Sequence, residues 1–113
     1  MIEVYGIKNC DSVKKALKFF KAHELEYRLF DFKTENLPCE KITEWLHQAE
    51  IKTLFNARST TYRNLKLKEL NLDEKEQAAW LCKENLLIKR PVVEFNGDVL
   101  VGFNEETYKR SFL

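Results

Sequence analysis

The spacing of apolar residues changes period several times along the chain. Ile2, Val4 and Ile7 form a short apolar segment broken by Gly6, which reads as a strand. From Asp11 onward, Val13, Ala16, Leu17 and Phe20 recur at i, i+3, i+4 and i+7, while Lys14, Lys15, Lys18 and Lys21 take the opposite face. That is an amphipathic helix, with Asp11 or Ser12 as the expected cap. Tyr27–Phe32 is rich in aromatic residues and reads as a second strand. Strand, helix and strand in this order predict a βαβ unit with parallel strands and a right-handed connection.

Pro38 can stand in the first turn of a second helix that carries Ile42, Trp45, Leu46 and Ala49 on one face. Leu54–Arg63 is polar and rich in hydroxyls, shows neither period, and reads as a loop. Asp73 and Glu76 have the spacing of a capping box and open a third helix, through Ala78 and Cys82 to about Asn85. Val92–Phe95 and Asp98–Val101 flank Asn96-Gly97, a strong hairpin signal. Asn104 then caps a short last helix with Tyr108 and Phe112 on its inner face. The order is βαβ, a helical block, a β-hairpin and a final helix.

Composition narrows this picture. At 113 residues, 44% of them hydrophobic, the chain is expected to be one domain with a core of its own. A net charge of +1 gives no argument for nucleic acid or a membrane surface, and the lysine stripe on the first helix reads as a solvated face. No apolar run approaches the ~18 residues of a membrane span, and the N-terminus lacks a basic leader, so a cytoplasmic protein is expected. Three cysteines at irregular spacing (10, 39 and 82) match neither a disulfide framework nor a zinc site. Cys39 reads as a bystander and Cys82 as a buried, inert thiol. His23 and His47 lie near helix ends with no partner spacing, so no metal is expected.

Cys10 stands apart. It lies where the first strand hands over to the first helix, and a helix N-terminus carries roughly half a positive charge that favours an anion. Lys8 adds a cation and Asp11 opposes it, making Cys10 the candidate nucleophile. Arg58 and the hydroxyls after it are of the kind that oxyanion sites use. Pro91 begins the third strand. In a fold where a βαβ half and a ββα half share one sheet, such a proline can be cis and place Arg90 near Cys10.

The blocks Gly6-Ile7-Lys8-Asn9-Cys10-Asp11-Ser12, Arg58-Ser59-Thr60-Thr61-Tyr62-Arg63, Ile88-Lys89-Arg90-Pro91 and Val101-Gly102-Phe103 stand in order along the whole chain. Together they resemble the arsenate reductase (ArsC) family, and within it the YffB-like group that neighbours the Spx-type regulators. The resemblance implies an α/β, thioredoxin-like fold, with residues 1–113 as a single domain and a helical insertion at about 38–85. It implies that Cys10 is the redox nucleophile, that the bond before Pro91 is cis, and that Arg58 and Arg90 line an anion site.

Three departures separate the chain from the classical arsenate reductases. Gly6 stands where those enzymes carry a histidine, their mid-chain arginine aligns nearer Asn56 than Arg58, and Val101-Gly102-Phe103 offers no third arginine. Val13 also takes the place of the second cysteine of the Cys-x-x-Cys switch found in many Spx proteins. The expectation is a glutathione-dependent monothiol reductase in which Cys10 forms a mixed disulfide. Lys8, Asn9, Arg58 and Arg90 would hold the thiolate or an anion, and the backbone at Pro91 would hold glutathione. Glutathione is then a co-substrate, no cofactor is bound, glutaredoxin is a candidate partner, and the protein is a monomer. Arsenate reduction by Cys10 and an Spx-like, RNA-polymerase-binding role are the alternatives.

Overall fold

β1 (Ile2–Gly6) is the strand on which the sheet is assembled. The computed structural model describes all 113 residues, and they form two compact units, residues 1–31 with 90–113 and residues 32–89. In the first unit β1 pairs parallel with β2 (Tyr27–Asp31) and antiparallel with β3 (Val92–Phe95), which pairs antiparallel with β4 (Asp98–Val101). The strand order is β2-β1-β3-β4. α1 (Asp11–Ala22) makes the crossover between the two parallel strands, as the βαβ pattern predicts.

Alternation along β1 sends Ile2 and Val4 into a core with Ala16, Phe19 and Phe20 of α1, Val93 of β3, and Tyr108 of α6 (Glu105–Phe112). The Phe20 and Tyr108 rings stack at 5.7 Å, and Phe112 meets Phe20 edge-on at 5.1 Å. Phe20 and Tyr108 are fully buried, each worth about 2–3 kcal/mol of transfer free energy. The hairpin turn is as expected: Asn96 and Gly97 both take positive φ, 51° and 83°, which this pair tolerates. Asn104 caps α6 by accepting from the Thr107 N–H at 3.0 Å.

The unit of residues 32–89 is helical. It contains α2 (Cys39–Trp45), α3 (Ile51–Leu54), α4 (Thr60–Asn64), α5 (Glu74–Lys83) and two single-turn 3₁₀ segments. Ile42, Trp45, Leu54, Leu67, Leu81 and Leu87 are buried in it. Its middle is tied to its C-terminal end by a bridge between Phe55 and Ile88, with the Asn56 N–H on the Leu87 carbonyl and the Lys89 N–H on the Leu54 carbonyl.

Several expectations are corrected here. Pro38 is the N-cap of α2 rather than a first-turn residue, and α2 closes at Trp45, short of Ala49. The stretch read as a loop, Leu54–Arg63, starts on the last residue of α3 and holds most of a short helix, α4. α4 forms because the buried Ser59 caps it, accepting from the Tyr62 N–H at 3.0 Å. The Asp73–Glu76 capping box is present in both directions. The largest correction concerns sulfur. Cys39 and Cys82 are joined in a disulfide with Cα atoms 5.0 Å apart, so neither is the isolated thiol expected, and Cys82 is half-exposed rather than buried. Linear spacing hid the pair, since the cysteines are 43 residues apart and become neighbours only when α5 packs on α2.

Candidate active site

β1 ends at Gly6, Ile7 is buried, Lys8 and Asn9 are exposed, and Cys10 is the N-cap residue of α1. The expected caps, Asp11 and Ser12, already lie inside the helix. Cys10 has the extended backbone of an N-cap (φ −144°, ψ 124°), and its carbonyl accepts the Lys14 N–H at 2.9 Å. Its side chain makes no capping bond, so the thiol is not committed to the helix. Cys10 is half-exposed and is the free cysteine of the chain.

The antiparallel register carries Arg90 and Pro91 to the same end of β1. Tyr5 pairs with Val92, which sets residue 91 against Gly6. The Arg90–Pro91 bond is cis. Arg90 is half-exposed with its Nε buried, and its Cβ lies 3.8 Å from where a Cβ on Gly6 would be. That same added Cβ would come within 2.7 Å of Val13 Cγ2 on the first turn of α1. The absence of a side chain at position 6 is therefore built into the packing of α1 on β1. A histidine there could be seated only by displacing Val13.

Pro91 has no N–H, and its carbonyl accepts from the Gly102 N–H at 2.7 Å. The Gly102 carbonyl in turn accepts from the Tyr108 hydroxyl at 2.8 Å, and Gly102 has φ +82°. A residue other than glycine is disfavoured there. This turn fastens β4 and α6 to Pro91. Burial pushes the Tyr108 phenol up from its ordinary range.

Lys8, Asn9 and Cys10 are joined by the chain, and the sheet register adds Arg90 and Pro91. Arg58 belongs to the 32–89 unit, where it is exposed just before the α4 cap. Its N–H donates to Asn56 Oδ1 at 3.0 Å and its carbonyl accepts from Arg63 Nη1 at 3.2 Å.

One polar cluster near the site escaped sequence reasoning. The Tyr5 hydroxyl lies 2.7 Å from Glu94 Oε1 and 2.9 Å from Glu3 Oε2, and Arg28 pairs with Glu3 across β1 and β2. Burial first, then the bonds to Glu94 and Glu3, push the Tyr5 phenol up. The cluster ties β1 to both of its neighbours one residue from Gly6. The i, i+2 spacing of Glu3 and Tyr5 was its available signal, and only the register reveals Glu94 opposite Glu3.

A βαβ half and a ββα half share one mixed sheet, with a cysteine at the start of the first helix and a cis-proline beside it. This defines a thioredoxin-like protein. The chain belongs to the ArsC family, which it matches over residues 5–111. An uncharacterized protein of Haemophilus influenzae is 44% identical, over 99% of each chain. A solved YffB protein is 32% identical with a TM-score of 0.91, covering 100% of both chains. The global transcriptional regulator Spx of Lactiplantibacillus plantarum is 26% identical over 97% of this chain and 85% of its own length.

Proposed function

We propose that this chain is a glutathione-dependent monothiol reductase working through Cys10. The observation that carries this reading is the position of Cys10, a free and half-exposed cysteine at the N-cap of α1, at the sheet end where Arg90 and Pro91 meet Gly6. The Cys10 thiolate attacks the sulfur of a glutathionylated substrate, forms the Cys10–glutathione disulfide and releases the substrate thiolate. A second glutathione thiolate then attacks the glutathione sulfur, giving oxidised glutathione and regenerating Cys10; glutaredoxin could take over this step. Arg90 and Lys8 would hold the tripeptide's carboxylates, and Asn9 would shape the loop.

Arsenate ranks lower. A small dianion needs several fixed donors to replace its hydration, and the packing of Gly6 and the turn at Gly102 stand where two of those groups would be. The test sets mass-spectrometric detection of the Cys10–glutathione adduct beside arsenate-dependent NADPH consumption in a glutaredoxin-coupled assay. The expected result is the adduct with little or no arsenate turnover. Saturable arsenate reduction that is lost in Cys10→Ser would reverse the ranking. The Spx relative favours a second reading, polymerase binding, and capture of a polymerase subunit undiminished by Cys10→Ser would support it.

A further inference from the structure

The chain holds a second sulfur centre, wholly inside the 32–89 unit and independent of Cys10. Cys39 opens α2 and Cys82 is the next-to-last residue of α5. The segments that carry them are aligned by bonds that do not involve sulfur. The Leu37 N–H donates to Asn85 Oδ1 at 3.0 Å, while Asn85 Nδ2 donates to the Leu81 carbonyl at 3.0 Å. Asn85 thus clips the chain just before Cys39 to the turn just after Cys82, and Ile42 and Leu81 are buried in the same two helices. With the disulfide opened, this clip still holds the two thiols close, and closure of one onto the other is an intramolecular step with a high effective concentration.

The two sulfurs differ in access. Cys39 is exposed and Cys82 half-exposed. Cys82 also lines a groove of about 500 Å³ with Lys33, Asn36, Lys83 and Glu84. The groove offers room beside the pair for a small molecule, and two lysines against one glutamate suit a carboxylate-bearing one.

We propose that Cys39–Cys82 is a reversible dithiol/disulfide site that exchanges with a low-molecular-weight, carboxylate-bearing thiol and its disulfide, entering at Cys39. In the reducing direction the small thiolate attacks the Cys39 sulfur, the Cys39–Cys82 bond breaks, and the Cys82 thiolate leaves and takes up a proton. A second small thiolate then attacks the sulfur of the bound small thiol and expels Cys39. The disulfide and two small thiols become two cysteine thiols and one small disulfide, a two-electron exchange that runs backward when the small disulfide is in excess. Access selects Cys39, because exchange rates follow exposure of the attacked sulfur.

The experiment equilibrates Cys10→Ser protein in graded mixtures of reduced and oxidised glutathione, quenches with acid, alkylates and weighs the intact chain. Cys39 and Cys82 are expected to lose their alkyl tags together, along a two-electron transition with few glutathione adducts. Adding Cys82→Ser should trap a glutathione adduct on Cys39, about fivefold or more faster than adding Cys39→Ser traps one on Cys82. Two separately alkylated thiols at every ratio would overturn the proposal. So would independent adducts on both cysteines, or a link that a hundredfold excess of reduced glutathione leaves intact. A trapping preference for Cys82 would overturn the assignment of Cys39 as the point of attack.

Discussion

The contact between β1 and α1 at Gly6 makes a sharp stability prediction. In Gly6→Ala the new methyl would lie 2.7 Å from Val13 Cγ2, a separation that carbon atoms do not sustain. Val13 is fully buried and β-branched, so it has few rotamers with which to yield. Overpacking of this kind costs about 1–3 kcal/mol. The backbone of Gly6 lies outside the left-handed region, so alanine recovers about 0.5–1 kcal/mol through the unfolded chain. The net expectation is a loss of roughly 1–2 kcal/mol, read as a lower urea midpoint by far-UV circular dichroism. Val13→Ala alone deletes two buried methyl groups and leaves a void, costing roughly 2–3 kcal/mol. In that background the clash is gone, and the next neighbour of the added methyl is Arg90 Cβ at an ordinary 3.8 Å. Gly6→Ala should then be neutral or slightly stabilising, a coupling of about 2 kcal/mol between the two positions. Additive costs, or a Gly6→Ala midpoint equal to wild type, would refute the claim that position 6 is closed by packing.

Arg90→Ala should slow carboxymethylation of Cys10 by iodoacetate at pH 7 by roughly three- to tenfold; unchanged Cys10 rates in Arg90→Ala would remove Arg90 from the site. Tyr108 is held protonated by burial, so the folded state keeps a proton that the unfolded chain releases above pH ~10. Its contribution is fully present below that pH and is lost as pH rises toward the folded value. Tyr5 acts with the same sign. Tyr108→Phe should cost about 1 kcal/mol at pH 7, from the bond to the Gly102 carbonyl, and should flatten the alkaline loss. Urea midpoints from pH 8 to 11 that run parallel for the two proteins would contradict it.

What the sequence discloses follows from how local each signal is. The α1 stripe, the Asp73 box, the Asn96-Gly97 turn and the Asn104 cap each depend on residues within a few positions of one another, and all are present. α4 was hidden because five residues carry no apolar period, and the serine hydroxyl that caps it is a signal shared by many polar loops. Cys10 was legible as the candidate nucleophile through its place between strand and helix. Its role as the cap was not, because Asp11 and Ser12 are better capping residues by type. Arg90 became placeable only through the β1–β3 register, the Tyr5–Glu3–Glu94 cluster likewise, and the sulfur pair only through the packing of α2 on α5.

The discontinuity of the sheet has a consequence for the order in which the chain is made. β1 and β2 emerge early in synthesis, but the strand that covers the other edge of β1 lies beyond residue 90. Until it arrives, β1 presents an unpaired edge, the kind of surface on which nascent chains join one another. Residues 32–89 form a compact unit of their own and can begin to fold before β3 and β4 emerge. Their Phe55–Ile88 bridge and the Lys89–Leu54 bond tie the middle of that segment to its C-terminal end, shortening the loop that must close before β3 can reach β1. A ribosome stalled before residue 92 has been exposed should therefore hold a folded helical segment beside an unfinished sheet, and variants that loosen the bridge should aggregate during synthesis more than their equilibrium stability foretells.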